Sequence, residues 1–380
     1  MLSNFKNRVR AHLINYKGWS TKRKIVVFES DDWGAIRLPD IKDIDSYKRI
    51  FPDYQKNPYL RYDSLASEND LINLFSLLAD FKDNFGNSPK FTFNVVMTNP
   101  DFQKIKESGY TEYFNESFVK TLQRYSNHSN SFNLWKNAID EKLMYPQFHG
   151  REHVNVPLWL EELRNGNQEL LDAFDLGTWS VPENKSSIIN LQASLDWIKE
   201  QPFTYQKDFL EEGLKEFQTV FGFSSKTIIP NNYIFDPNLN TILKENGIKG
   251  VQGMKYQKLP LGNSSNGKRE MIRRYVGDKN EAGLFYLVRN CVFEPSQTSD
   301  NYDDVSMCLQ NIDNAFFWNK PAIIDTHRLN YIGSYDEKNR DISLNKLRIL
   351  LKKILKKWHD VEFMTSNELL DIIEQENSLL

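Results

Sequence analysis

Short runs of β-branched and aromatic residues, each followed by a stretch with helical periodicity, constrain this chain more than any other feature. Candidate strands are Lys24–Glu29, Lys90–Met97, Met144–Phe148, Lys226–Pro230, Gly250–Gly253, Leu284–Val288, Ala322–Thr326 and Val361–Met364. Candidate helices lie near Glu68–Phe85, Glu116–Tyr125, Leu158–Arg164, Ser186–Glu200, Tyr205–Phe221, Pro237–Asn246, Asp304–Trp318, Leu344–Trp358 and Ser366–Glu376, the last with Ser366 placed to cap it. Strands that alternate with helices build a parallel sheet, because each crossover buries a helix against a strand face. Seven or eight such units fit a closed α/β barrel better than an open sheet. No internal repeat is visible, and the loops Leu261–Lys268 and Pro295–Asp303 are too short to link domains, so one domain over residues 1–380 is expected, with 1–22 as an N-terminal extension. Leu261–Lys268 is expected to be the most mobile loop.

A chain of 380 residues, 40% hydrophobic, has ample apolar material for such a core. Its 48 Lys+Arg against 51 Asp+Glu give a net charge of -3, which offers no electrostatic reason to propose nucleic acid or a membrane surface as partner. No stretch approaches the roughly 18 apolar residues of a membrane span, and Met1–Ser20 lacks the apolar core of a signal peptide despite Lys6, Arg8, Arg10 and Lys17. Two cysteines, Cys291 and Cys308, cannot form a disulfide framework. A cytoplasmic protein is expected, of unspecified oligomeric state.

Three segments carry chemistry, and each ends an expected strand, where parallel barrels assemble their sites. Glu29-Ser30-Asp31-Asp32-Trp33-Gly34 follows the first strand. Adjacent acids there project differently, so one can ligate a metal while its neighbour faces the water; the bland alternative is a solvated acidic turn. His149-Gly150-Arg151-Glu152-His153 follows the third strand. Histidines four apart share one face of a helical turn and can reach one ion at about 2.0–2.1 Å; two unrelated loop histidines are the alternative. Two histidines with a carboxylate are a common catalytic zinc set. Asp325-Thr326-His327-Arg328 ends the seventh strand, with Asp325 and His327 on one side of it, so that Asp325 can orient His327 as a general acid.

The order Asp-Asp, then His-x-x-x-His, then a late strand ending in His resembles the polysaccharide deacetylase family, from Ile25 to the final Val361–Leu369 segment. The resemblance implies a distorted seven- or eight-stranded (β/α) barrel with insertions. It implies Asp31 as catalytic base, Asp32, His149 and His153 as ligands of a divalent metal, expected to be zinc, and His327 as general acid. A carbohydrate substrate is implied with them, deacetylated at an N- or O-acetyl group. Against the family's Thr-Phe-Asp-Asp-Gly, Trp33 is inserted before Gly34 and Glu29-Ser30 replaces Thr-Phe, and Gly150 stands where the family usually has Ser or Thr. The family's Arg-x-Pro-Tyr is only echoed by Ile228-Ile229-Pro230-Asn231-Asn232-Tyr233, without its arginine. Arg289, at the end of another strand, is the expected replacement, ahead of Arg151 and Arg328. Asn231–Tyr233 is the expected source of an oxyanion N–H, and Trp33, Tyr233 and Trp179 are candidate sugar-stacking groups, with a core position as the alternative that each ring taken singly favours, Trp179 above all. Three other readings stand beside this one: hydrolysis of another C–N amide bond, a non-catalytic carbohydrate-binding barrel, and a glycosidase with paired carboxylates, which would leave His149 and His153 without a role.

Overall fold

The computed structural model describes residues 12–182, 191–198, 203–264, 267–299 and 301–378. Nine parallel-paired strands form its main sheet: β1 (Lys24–Trp33), β2 (Phe91–Val95), β3 (Met144–Phe148), β4 (Thr227–Ile228), β5 (Gly250–Gly253), β6 (Phe285–Val288), β7 (Cys291–Val292), β8 (Ala322–His327) and β9 (Val361–Met364). Their order is β6-β5-β4-β3-β2-β1-β8-β7, with β9 paired to β1 over Lys24–Val27, before β2 takes over at Phe28. The two ends of that order, β6 and β7, are separated only by Arg289 and Asn290. One run of chain therefore supplies both edges: Arg289 N–H donates to Gly253 O (2.9 Å) and Asn290 N–H to Ile323 O (3.1 Å). This closes the sheet into a distorted barrel and sets Arg289 at the seam.

Strand alternation decides what lies inside. Along β1, Val26 and Phe28 face outward into the large core, which they share with Phe91, Phe93, Leu347 and Leu351. Ile25 and Val27 pack with Leu287, Ile323, Leu369, Leu370 and Ile373 in a separate cluster at the end where the strands begin. The next residues of that same face are Glu29 and Asp31, joined from neighbouring strands by Thr92, Asn94, Gln147, Gln252, Arg289 and Asp325, all buried. The barrel is thus apolar at one end and polar at the other. Its polar groups bond one another: Asn94 Nδ2 to Gln252 Oε1 (2.9 Å), Gln252 Nε2 to Thr227 Oγ1 (2.7 Å) and Thr227 Oγ1 to Gln147 Oε1 (2.8 Å).

Outside the sheet lie α1 (Glu68–Ala79), α2 (Ser131–Asp140), α3 (Val156–Arg164), α4 (Phe203–Phe221), α5 (Asp304–Phe317), α6 (Glu337–Lys357) and α7 (Ser366–Asn377). The α7 start differs from expectation. Thr365, not Ser366, is its cap residue, with its N–H and Oγ1 on Glu368 Oε2 (2.7 and 2.9 Å), and Ser366 Oγ instead donates to Glu29 Oε1 (2.7 Å). Of the helix expected at Ser186–Glu200, residues 191–198 form turns, and 186–190 and 199–200 lie outside the described residues. The mobility expected for Leu261–Lys268 concerns a loop in which residues 265–266 also lie outside them. Between β1 and β2 the chain adds short helices at Ile44–Ile50 and Pro58–Tyr62 before α1, and this insertion reaches the end of the barrel where Asp31 and His327 lie.

Candidate metal centre and catalytic cleft

The last turn of β1 separates the two aspartates. Its pairing register shifts between Ser30 and Trp33, and Asp32 takes a left-handed backbone (φ 73°). Asp31 continues the inward face of the strand while Asp32 swings toward the β3 loop. Such a conformation is uncommon for a residue other than glycine and recurs at functional sites. The same irregularity turns Trp33 outward, which corrects its expected place in the cleft. Its ring stacks on Phe93 (3.6 Å between centroids, 8°), its Nε1 donates to Ser30 Oγ (2.9 Å), and it is 1% exposed.

Asp32 Oδ1 lies 3.0 Å from His153 Nε2 and 3.3 Å from His149 Nε2, and all three residues are buried. The two histidines do not share a helical turn as the spacing suggested. Residues 149–155 form a loop in which Gly150 has φ +110°, where a Cβ would meet Asn231 Oδ1 at 2.9 Å. Arg151 and Glu152 brace this loop side by side (Nε–Oε2 2.6 Å, Nη2–Oε1 2.8 Å). His149 Nδ1 lies 2.7 Å from Ile229 O, which fixes the ring with Nε2 turned toward Asp32. Burial lowers His153 to about 4, against the pull of Asp32, leaving that ring neutral. Burial would raise Asp32, but the Arg37 guanidinium and the two histidines hold it well below the carboxylate range.

Behind this group stands a chain of charges that the sequence did not reveal. Arg37 Nη2 donates to Asp32 Oδ2 (3.1 Å) and its Nε to Asp63 Oδ2 (3.1 Å), while Arg328 Nε donates to Asp63 Oδ1 (2.8 Å). Asp32 is thereby held by one oxygen, and the other is presented to the histidines.

The second half of the site surrounds Arg289, which is fully buried at the barrel seam. Its Nη1 and Nη2 donate to the two oxygens of Asp31 (2.8 and 2.6 Å), its Nε to Glu29 Oε2 (2.7 Å), and its Nη1 also to Asp325 Oδ1 (2.5 Å). Arg289, the expected partner of Asp31, thus does lie beside it. Arg151 is engaged by Glu152 and Glu212, and Arg328 by Asp63. Burial would raise Asp31, but the Arg289 guanidinium keeps it below its ordinary value. Burial pushes Glu29 up to about 7 despite the same arginine.

Asp325 does not orient His327, contrary to expectation, because its carboxylate is drawn to Arg289. Glu294 does so instead, with Oε1 2.5 Å from His327 Nδ1 and Oε2 accepting from Asn330 Nδ2 (2.7 Å). Its signal in the sequence was hidden behind β7, a two-residue strand whose end it follows. His327 Nε2 then lies 3.8 Å from Asp31 Oδ2. Burial alone would lower His327, but Glu294, Asp31 and Asp325 raise it to about 10, so the imidazolium carries a proton at Nε2. Because its pKa is raised in the folded state, the ion pair contributes its full stability below the ordinary histidine value near 6.5 and loses it as the pH rises through about 10. Glu294→Gln is expected to move the alkaline limb of any His327-dependent rate from near 10 toward neutrality. An unmoved limb in a pH–rate profile would take the proton away from His327.

A cleft of about 770 Å³ opens over Asp31, Asp32, His149, His153 and His327, walled by Asn57 and Tyr59 from the β1–β2 insertion, by Gln192, and by Asn232 and Tyr233. Tyr59 stands edge-on to His327 (5.6 Å, 87°). Tyr233 lines the opposite wall with its hydroxyl 3.4 Å from Arg289 Nη1, but its N–H donates to Pro230 O (2.9 Å) and is not offered to an oxyanion. Asn231 is buried and braces the histidine loop through His149 O (2.9 Å). Trp179 is also core, its ring parallel to that of His153 (5.9 Å, 10°).

The donor set suits a divalent cation. One carboxylate oxygen and two imidazole nitrogens lie within 4.8 Å of one another, all in buried residues. Around them six buried carboxylates (Glu29, Asp31, Asp32, Asp63, Glu294, Asp325) meet three guanidiniums (Arg37, Arg289, Arg328) and the His327 imidazolium. The six carboxylates exceed the four cations by two formal charges, or by one when Glu29, pushed up to about 7, is protonated; a divalent cation would offset that excess, since uncompensated buried charge is costly. The other three-residue group, Asp31, Asp325 and His327, already has Arg289 as its cation.

Fold and site together define a parallel α/β barrel with a candidate metal centre at the carboxyl ends of its strands. No family model and no curated protein matches the sequence. Among solved structures, the chain is similar in fold to one named as a polysaccharide deacetylase from Mycobacterium smegmatis (TM-score 0.45, 10% identity, covering 95% of this chain and 94% of that one). It is similar likewise to the allantoinase Puue (TM-score 0.44, 9% identity, 93% and 91%). A third likeness is to the 4-alpha-glucanotransferase of Thermococcus litoralis (TM-score 0.45, 11% identity), of which it spans 92% of this chain but only 40% of that one.

Proposed function

We propose that this protein is a metal-dependent hydrolase that removes acetyl groups from a saccharide. The observation that carries the reading is one cleft whose floor joins the Asp32–His149–His153 group to a fixed carboxylate, Asp31, and a protonated histidine, His327. Asp32, His149 and His153 would hold the ion, and two nitrogens with one oxygen suit zinc. When bound, such an ion polarises a carbonyl and brings the pKa of its water toward about 7.

The chain's own residues do the rest. Asp31, locked by the paired donors of Arg289, accepts a proton from the water as that water adds to the acetyl carbonyl carbon. His327, held by Glu294, gives its Nε2 proton to the departing nitrogen as the C–N bond breaks. Acetate and a free amine result, and water supplies the atoms gained by both. Tyr59 and Tyr233 offer aromatic faces of the kind that pyranose rings pack against. The saccharide comes from the resemblance to polysaccharide deacetylases, and the paired Asp31 and His327 beside the Asp32–His149–His153 group support hydrolysis of its N- or O-acetyl group.

Metal binding is the first test. Zinc at a hundredfold excess over its dissociation constant is expected to stabilise the protein by about 2.7 kcal/mol, visible as a raised melting temperature. The variant His149→Ala/His153→Ala should fold and show no such rise. A rise of equal size in that variant would place the ion elsewhere.

A further inference from the structure

Asp31 accepts a further hydrogen bond from outside the Arg289 pairing. Asn94 Nδ2, on β2, donates to Asp31 Oδ1 (2.7 Å) and also to Gln252 Oε1 on β5 (2.9 Å). The line runs on from Gln252 Nε2 to Thr227 Oγ1 (2.7 Å) and from there to Gln147 Oε1 (2.8 Å). Side chains of β2, β3, β4 and β5 are thus tied to one oxygen of a β1 carboxylate.

The direction of this line is fixed at both ends. The backbone N–H groups of Lys226 (3.1 Å) and Thr227 (2.7 Å) can only donate, and both donate to Gln147 Oε1. The Thr227 hydroxyl must then donate to that oxygen as well, so it accepts from Gln252 Nε2, and Gln252 Oε1 is left facing Asn94. At the other end Asp31, held below its ordinary value by Arg289, is an ionised carboxylate that can only accept. Both requirements meet in the Asn94 amide, whose nitrogen donates both ways; reversed, it would set its oxygen against two acceptors. Asn94 Oδ1 is itself buried with no hydrogen-bond partner among the described residues, so the amide is held through its nitrogen. Arg289 bonds both oxygens of Asp31 and does not choose between them, but Asn94 does. Oδ1 carries two donors, Arg289 Nη2 (2.6 Å) and Asn94 Nδ2, enough to fill its lone-pair sites. Oδ2 accepts from Arg289 Nη1 (2.8 Å) and lies 3.8 Å from His327 Nε2.

We propose that Asn94 is a positioning residue for Asp31, closing Oδ1 and leaving Oδ2 as the oxygen that takes the proton of the attacking water. This rests on the hydrolytic reading above. One O–H bond of the water breaks as its oxygen adds to the acetyl carbon, and the proton released forms a bond to Oδ2, on the side of the carboxylate that faces His327. The orientation of the base is then set across the barrel by Gln252, Thr227 and Gln147, none of which needs to touch the substrate.

Two substitution cycles on the full chain test this. Asn94→Leu keeps the volume and removes both donors, and Gln252→Leu breaks the line one link farther from Asp31. Asn94→Leu is expected to lower kcat for acetate release about tenfold to a hundredfold, with KM within about twofold and zinc uptake intact. Gln252→Leu should act in the same direction by less. In the Asp31→Asn background, Asn94→Leu should change the residual rate little, because the two residues act as a unit. The second cycle needs no substrate. In chemical denaturation, Asn94→Leu should weaken the folding equilibrium roughly fivefold more with Asp31 present than in the Asp31→Asn background, since a hydrogen bond to a charged group is the stronger one. Equal losses in the two backgrounds, in rate or in folding, overturn the proposal, as does a raised KM with kcat unchanged. Where Asn94→Leu does not fold, the same cycles with Gln252→Leu decide it. A parent protein that releases no acetate would overturn the hydrolytic reading instead, and the folding cycle would still show whether Asn94 holds Asp31.

Discussion

Asp31→Asn is expected to lower turnover by about 10²–10⁴-fold, the usual contribution of a positioned general base, while metal affinity stays within a few fold. Asn preserves the shape and one acceptor oxygen. It cannot take a proton from water, and its amide would face the Arg289 donors with only half of the former pairing. Arg289 would still be anchored by Glu29 and Asp325, so the barrel seam should survive. Asp32, the neighbour on the metal side, has its own partners in Arg37 and the histidines and should not move. Steady-state rates with parallel metal analysis separate the cases. Full activity in this variant would reduce Asp31 to a structural partner of Arg289, and loss of metal would mean that Asp31 belongs to the ligand set.

Arg289→Met is expected to cost about 3–5 kcal/mol of stability, as for other buried ion pairs broken from one side. Three carboxylates, Glu29, Asp31 and Asp325, would be left facing one another inside the barrel. Arg289→Lys should recover part of the stability but little of the turnover, because one ammonium cannot hold both oxygens of Asp31 and reach Glu29 at the same time. The loss has a pH sign. Asp31 is held below its ordinary value in the folded protein, so its share of the stability is present above the normal aspartate range and disappears as the pH falls through its lowered pKa. Chemical denaturation at neutral and acid pH should therefore show the Arg289→Met deficit shrinking toward acid. A variant as stable as the parent at neutral pH would deny that the three carboxylates depend on this guanidinium.

What could be read from the sequence follows from how local the signals are. Strand positions such as Met144–Phe148 and Val361–Met364 were legible because segments with β-branched and aromatic residues are bounded by turns. Asp32, His149 and His153 were legible as residue types at strand ends. Their four-residue spacing suggested a helical turn, whereas a glycine-kinked loop brings the two histidines together. Trp33 was misplaced because a register shift at Ser30–Trp33 reverses the side to which it points, and no alternation rule anticipates a bulge. Arg37, Asp63 and Glu294 escaped notice for a common reason. Each belongs to a loop or insertion, and its partner lies far along the chain: Asp63 joins Arg37 to Arg328, and Glu294 meets His327 across 33 residues. Closure of the barrel through the Phe285–Val292 run was equally hidden, because Cys291–Val292 is too short to register as a strand.

Acetate release from a panel of N-acetylated oligosaccharides tests the central claim most directly, measured on the zinc-loaded protein, on the chelated protein and on His149→Ala/His153→Ala. The account predicts release that appears with about one bound ion per chain, vanishes on chelation, returns with added zinc and is absent from the double variant. Acetate released at an undiminished rate by the chelated protein or by the double variant would contradict it, as would a zinc-loaded protein that releases none from any member of the panel.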